Sequence, residues 1–189
     1  MSPQELLGIL DTAAKLKTTY RHCYTMPERQ ESVADHSWRI ALIAMLISNE
    51  FPQADMNKVI KMCLIHDLGE AFTGDIPTFE KTDADESREE DILTDWVKTF
   101  PEAERQQWLA LYEEMNALES TEAKIYKALD KLEAVISHNE SDISTWLPLE
   151  YDLQLTYATE SVKFSEYLTA LKEEVDKMTL KKIKKPQSI

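Results

Sequence analysis

Apolar residues recur at helical spacing along most of the chain, and capping residues mark where several runs begin. Ser2-Pro3-Gln4-Glu5 has the form of a capping box with proline at the first helical position. With Leu6, Leu10 and Ala13 on one face, it predicts a helix from near residue 3 to about Tyr20. Residues 21–31 contain Pro27 and no clear period, so they are expected as a loop. Ser32, with Asp35 three residues on, caps a second helix that should end before Pro52. Asp55 caps a third, expected to carry Val59, Met62 and Phe72 and to stop at Gly74. The polar stretch from Asp75 through Pro77 to Asp85 is expected as a loop. Further helices are predicted over 86–99, 102–118, 121–139 and 159–181, with Pro101 separating two of them and Thr121 as a candidate cap. No strand-like alternation of useful length is evident, and there is no internal repeat. The pattern predicts an all-α, single-domain helical bundle of the non-coiled-coil kind.

Composition agrees with this and narrows the function. The 189 residues include only three glycines, too few for an all-β fold built on tight turns. The formal net charge is −14 and the pI about 4.7, which argues against duplex nucleic acid or an anionic membrane as the main partner. An anionic small substrate remains open if the site supplies local positive charge. The basic run Lys181-Lys182-Ile183-Lys184-Lys185 is read as a solvated tail rather than a recognition patch. Cys23 and Cys63 do not make a disulfide framework, and Cys63 lies in an apolar stretch as a small buried hydrophobe. Without a signal-like N-terminus or an apolar run of membrane-spanning length, the chain is expected to be cytoplasmic.

Histidine carries the sharpest chemical signal, because there are only four: His22, His36, His66 and His138. His66 and Asp67 stand in Ile65-His66-Asp67-Leu68-Gly69-Glu70, where helical spacing brings His66, Asp67 and Glu70 to one edge of a mostly apolar run. Burying such groups is costly unless they are paired or hold a metal. Asp130 intrudes in the same way, on a face shared with Ala123, Tyr126 and Ala134. Taken singly, each of these residues is more readily an ordinary buried polar group than a ligand. The ordered set, a histidine on one helix, His-Asp on the next and an aspartate on a later one, is what points to a site.

That order resembles the HD-domain superfamily of metal-dependent phosphohydrolases, whose ligands run H…HD…D. The strings ESVADHSW, LIHDLGEAFTGDIP and ALDKLEA are similar to the branch that removes phosphate from deoxynucleoside 5′-monophosphates. The likeness spans about residues 15–140, with C-terminal helices over 141–181 and the basic tail at 181–189 completing one domain over 1–189. The resemblance implies one divalent ion (Co, Mn, Mg, Fe or Zn) held by His36, His66, Asp67 and Asp130. It implies that Glu70 and Asp75 act in catalysis, that Arg21 contacts phosphate, and that Glu114 lies near the sugar. His22 stands where members of the branch carry a tryptophan beside the sugar, so a deoxyribose preference is not simply inherited. A homodimer is also implied, which would give exposed apolar residues of the last helices a partner.

In this reading the ion lowers the pKa of a water and polarises the phosphoryl group. Glu70 orients or deprotonates the water, Asp75 protonates the leaving 5′ oxygen, and Arg21 offsets phosphate charge. The plainer alternatives are a surface charge for Glu70, a turn residue for Asp75 and a solvated loop residue for Arg21. Lys81 and Arg88 meet either phosphate or water, His138 is read as a helix-end residue, and Trp38, Trp96, Trp108 and Trp146 as core or interface. Two-metal members of the superfamily need extra histidines, and none occurs from residue 68 to 129. A nucleoside polyphosphate substrate fits poorly with the acidic loop after Asp75. A non-catalytic module with structural zinc would favour a closed, cysteine-rich set.

Overall fold

A computed structural model describes residues 1–26 and 29–184. Pro27 and Glu28, inside the expected loop, and residues 185–189 of the expected tail lie outside the described residues. α1 (Pro3–Ala13) begins at the capping box between Ser2 and Glu5, but it passes into a 3-10 turn at Ala14–Lys17 instead of running to Tyr20. The expected loop at 21–31 is a hairpin: β1 (Tyr20–Met26) pairs antiparallel with β2 (Arg29–Ser32). Its register slips twice, between Tyr20 and Tyr24 and again before Met26, which erases the two-residue alternation a sequence reading depends on.

α2 (Val33–Leu46) starts at Ser32, whose hydroxyl accepts from the Asp35 amide while the Asp35 side chain accepts from the Ser32 amide. α3 (Met56–Ile65) starts at Asp55 and ends nine residues earlier than expected, before the His-Asp pair. At that end the Ile65 carbonyl accepts both from the Leu68 amide over 3.2 Å, in a tighter turn, and from the Tyr112 hydroxyl over 2.7 Å. The chain then turns tightly through Leu68 and Gly69 into the short α4 (Glu70–Thr73). Gly69 is closely approached, because a Cβ there would sit 2.6 Å from Glu89 Cγ. Gly74 ends α4 at φ 79 and ψ 165, a conformation open essentially to glycine alone.

α5 (Asp83–Lys98) begins three residues earlier than expected, capped by Thr82 with Asp85. α6 (Glu102–Ala117) follows, and α7 (Thr121–Glu140) is the long central helix. Its cap is Ser120 rather than Thr121, the Ser120 hydroxyl accepting from the Ala123 amide at 3.1 Å. The expected helix at 159–181 is broken. α8 (Glu150–Thr156) precedes it, α9 (Thr159–Val162) is one turn, and α10 (Glu166–Ile183) starts anew at Ser165. α10 takes in Lys181 and Lys182, and Lys182 donates to the Asn139 carbonyl, so the start of the basic run is helix and not tail.

The core forms where α2, α3 and α7 meet, around Ile40, Ala44, Val59, Met62, Ile125, Leu129 and Leu132, all fully buried. Burying an aliphatic side chain of this size contributes about 1.5–3 kcal/mol, so these three helices are the rigid frame of the molecule. A chain of edge-to-face rings (Phe72–Trp96, Trp96–Phe100 and Phe100–Trp108) holds α4 against α5 and α6. Among the described residues no helix is long and apolar enough to cross a membrane.

Candidate metal centre and substrate cavity

The three core helices bring His36, His66, Asp67 and Asp130 to one point. His36 lies in the second turn of α2 and is fully buried. His66 and Asp67 lie in the turn after α3, and Asp130 in the middle of α7. One ligand atom from each of His36, His66 and Asp67 falls within 4.8 Å of the others. Asp130 Oδ1 stands 3.2 Å from His36 Nε2 and 3.7 Å from His66 Nε2. The set mixes two imidazole nitrogens with carboxylate oxygens, suited to a first-row divalent ion.

Two further contacts fix which ring nitrogens face that point. His66 Nδ1 donates to the Cys63 carbonyl over 2.9 Å, leaving Nε2 to face Asp67 and Asp130. His36 Nδ1 donates to Glu133, a fully buried carboxylate, leaving its Nε2 for the same centre. A histidine whose second nitrogen bonds a carboxylate or carbonyl is the usual form of an oriented metal ligand. His66 Nε2 is buried, 2.9 Å from Asp67 Oδ2, yet makes no aligned hydrogen bond. A buried nitrogen left unsatisfied among carboxylates fits a cation, and this donor set therefore accommodates the expected ion. The electrostatics agree. Although burial works against charge on His66, Asp67 and Asp130 push it up to about 10, so the centre draws positive charge to that position. Asp130 also accepts from Lys127 Nζ over 2.8 Å through its other oxygen.

Beside this centre opens a cavity of about 160 Å³, with Arg21, Asp67, Glu70, Asp75, Lys127 and Asp130 in its wall. The hairpin delivers Arg21, whose Nε is 3.1 Å from Glu31 and whose Nη1 is 3.7 Å from Asp67. Glu70, at the start of α4, is 5% exposed, which removes the reading as a surface charge. Burial, then the neighbouring Asp67 and Asp75, push its carboxyl up to about 10. Asp75 follows Gly74 in the cavity wall and is also raised, chiefly by burial, against the pull of Arg21.

The remaining expectations divide. His22 lines the cavity, its ring edge-on to Phe79 at 5.8 Å. Glu114 does not: on α6 it grips Lys58 at 2.8 Å and the Ser120 hydroxyl, tying α6 to α3 and to the cap of α7. Lys81 pairs with Glu89 over 2.8 Å, and Arg88 is exposed on α5. His138 is more than a helix-end residue, since it lines the cavity and donates to Glu150 over 2.8 Å. Trp146 is buried beside it and Trp96 and Trp108 join the ring chain, whereas Trp38 is 62% exposed.

Glu133, Lys127, Glu150, Gln154 and Tyr157 were not anticipated. The first two had a signal in the sequence. Lys127, Asp130, Ala134 and His138 form one stripe along α7 at helical spacing, and Glu133 stands three residues beyond Asp130.

The HD domain family model matches residues 13–172. The human 5′-deoxynucleotidase HDDC2 is 31% identical over 141 residues, 72% of this chain and 68% of that protein. A predicted metal-dependent phosphohydrolase from Magnetospirillum magnetotacticum MS-1 superposes with a TM-score of 0.79 at 27% identity, covering 95% of this chain and 93% of that one. The HD phosphohydrolase DatZ of cyanophage S-2L, bound to dA and one catalytic Zn2+, shares the fold at a TM-score of 0.59 and 21% identity, covering 92% and 95%. The helical frame, the ordered His, His-Asp and Asp at its centre, and a family model spanning most of the sequence lead to one conclusion: this chain belongs to the HD-domain family.

Proposed function

We propose that this protein hydrolyses nucleoside 5′-monophosphates, deoxy forms ahead of ribo forms, with His36, His66, Asp67 and Asp130 holding one divalent ion. The broader statement needs no proposal: the chain is a metal-dependent phosphohydrolase of the HD type, related to proteins named 5′-deoxynucleotidase. The observation that carries the finer reading is the buried, unsatisfied His66 Nε2 among carboxylates, opening onto a cavity that also holds Arg21, Glu70 and Asp75.

The ion, when bound, polarises the phosphoryl group and lowers the pKa of a water. The rest of the work belongs to the chain. Arg21, anchored at Nε by Glu31, turns its outer guanidinium nitrogens toward Asp67 and the cavity, where they can hold two phosphate oxygens. Lys127 adds a second positive charge in the wall, so an acidic protein still presents an anion-binding site. Glu70 carries its proton at neutral pH because burial and two anionic neighbours disfavour its charge. An ion held by Asp67 would offset one of those anionic neighbours, and Glu70 is the group placed to accept a proton from the attacking water. Asp75, also raised, is suited to hold a proton for the departing 5′ oxygen.

Two further readings belong to the same proposal. A homodimer would cover apolar side chains such as Leu7, Trp38 and Leu46, each more than half exposed. Residence in the cytoplasm accords with two buried free thiols, Cys23 and Cys63. The test of the reaction is a panel of phosphorylated metabolites assayed with several divalent ions. Release of phosphate from deoxynucleoside monophosphates, dependent on added metal, is expected. Release only of pyrophosphate or triphosphate, with none from any monophosphate, would move the protein to another branch.

A further inference from the structure

Arg21 reaches the cavity from a bulge. Between the pairs Tyr20–Ser32 and Tyr24–Gln30, residues 21–23 of β1 stand opposite the single residue Glu31 of β2. Such insertions re-aim side chains, and here Arg21, His22 and Cys23 all line the cavity. The regular ladder is interrupted at this point, and the Gln30 side chain reaches the Arg21 carbonyl over a long 3.4 Å. What holds the guanidinium has to act on the side chain itself.

Glu31 does so. It is 2% exposed, and its Oε2 lies 3.1 Å from Arg21 Nε. Neither atom makes an aligned hydrogen bond, so the attraction is one of opposite charges. The other oxygen, Oε1, accepts from the Ser137 hydroxyl at 2.5 Å, and Ser137 is itself buried on α7. Ser137 stands one turn beyond Glu133, so α7 supports His36 through Glu133 and Arg21 through Glu31. A buried carboxylate is costly, and an apolar side chain would fill the space more cheaply, so folding alone gives no reason for Glu31. Its use lies in where it leaves Arg21. With Nε facing Glu31, Nη1 lies 3.7 Å from Asp67. An ion held by Asp67 would offset the pull of that carboxylate, leaving the hold to Glu31.

We propose that Glu31, fixed by Ser137, is a positioning residue that holds Arg21 in the orientation that binds the phosphoryl group. The proposal rests on the reaction assigned above only for Arg21 meeting phosphate.

Inorganic phosphate tests this without turnover. The metal-loaded full chain is titrated calorimetrically with phosphate, unaltered and as Glu31→Gln, Arg21→Gln and the double variant. Glutamine keeps the volume, but with its oxygen toward Ser137 it turns an amide nitrogen to Arg21 Nε, donor against donor. Glu31→Gln should weaken phosphate binding on the order of tenfold with bound metal unchanged. In the Arg21→Gln background the same change should have no further effect, because Glu31 acts through Arg21. A merely structural role would lower the melting temperature and add its effect in both backgrounds. Should Glu31→Gln fail to fold, Ser137→Ala takes its place, with a smaller loss of affinity expected. Phosphate affinity unchanged in the folded variant, an additive loss in the double variant, or metal lost together with phosphate would each overturn the positioning role. So would an unaltered protein that binds no phosphate. Undiminished phosphate affinity in Arg21→Gln would instead remove Arg21 from the phosphate site, and the positioning role with it. Turnover is scored in parallel, and the expected phosphate effects without release from any monophosphate sink the reaction alone.

Discussion

Glu70 is buried in a wall that already contains Asp67 and Asp75, and its neutral form is the one this environment favours. Glutamine copies the shape of that neutral form and cannot exchange a proton. Glu70→Gln should therefore leave folding and metal content intact while kcat falls by about a hundredfold to ten-thousandfold, the range for a positioned acid or base, with KM little changed. A normal kcat would return Glu70 to a packing role, and loss of the metal would place it among the ligands. Glu133 poses the complementary case, since it does not line the cavity beside the centre and touches His36 instead. Glu133→Gln can turn its amide nitrogen toward His36 Nδ1 and so release the ring from its orientation. Metal affinity should drop by about 10- to 100-fold, the usual effect of losing such a support, and competition with a chelator reads this directly. An unchanged affinity would mean that packing alone orients the ring. Restored affinity in Glu133→Asp would indicate that the carboxylate, rather than side-chain volume, is what His36 needs.

The second helix shows how an element carries a ligand into place. Its N-terminus is fixed by Ser32 and Asp35, and Arg29 adds a 2.7 Å ion pair to the Asp35 carboxylate. Burial is the largest single influence on Asp35 and opposes its charge, but the Ser32 hydrogen bonds and then Arg29 together hold it below its ordinary 3.8. Between those two values the unfolded chain binds more protons than the folded one, so stability rises with pH there. The contribution is present above about pH 4 and is lost as pH falls through the depressed folded value. Acid unfolding followed by circular dichroism should show a shallower stability slope below that pH in Asp35→Asn than in the unaltered protein. Ser32→Ala should cost about 0.5–2 kcal/mol at neutral pH. Identical acid limbs would remove Asp35 from the cap. Such caps were legible in the sequence at Ser2, Ser32 and Asp55 because donor and acceptor lie within one turn. The early end of α3 was not, because the Ile65 carbonyl there is shared by the Leu68 amide and a hydroxyl from Tyr112, 47 residues away. The hairpin was hidden by its slipped register, and with it the pairing of Arg21 to Glu31 across the strands. The four convergent residues were legible as an ordered set, whereas Glu150 and Gln154 stand in no catalytic motif of the sequence.

Across the whole molecule, the centre lies where the core already joins its three main helices. His36 comes from α2, His66 and Asp67 from the turn between α3 and α4, and Asp130 from α7. A cation held at that point would link all of them and offset a dense group of buried acids in a chain whose formal charge is −14. An ion that binds only the native state stabilises it by about 2.7 kcal/mol when present at a hundred times its dissociation constant. Chelation should therefore lower the melting temperature without abolishing the fold, since Ile40, Val59, Met62, Leu129 and Leu132 pack independently of the ion. Readdition of the metal should restore the melting temperature in proportion to its concentration. His36→Ala and Asp130→Ala should each reduce bound metal below about one per chain, and each should blunt the response to chelator, because the linkage has been cut. The two variants need not be equal. Asp130→Ala also strands the Lys127 ammonium, whereas His36→Ala leaves Glu133 buried with Arg39 Nε 3.7 Å from its other oxygen. Elemental analysis showing full metal in both variants, or a melting temperature indifferent to chelator in the unaltered protein, would place the ion elsewhere.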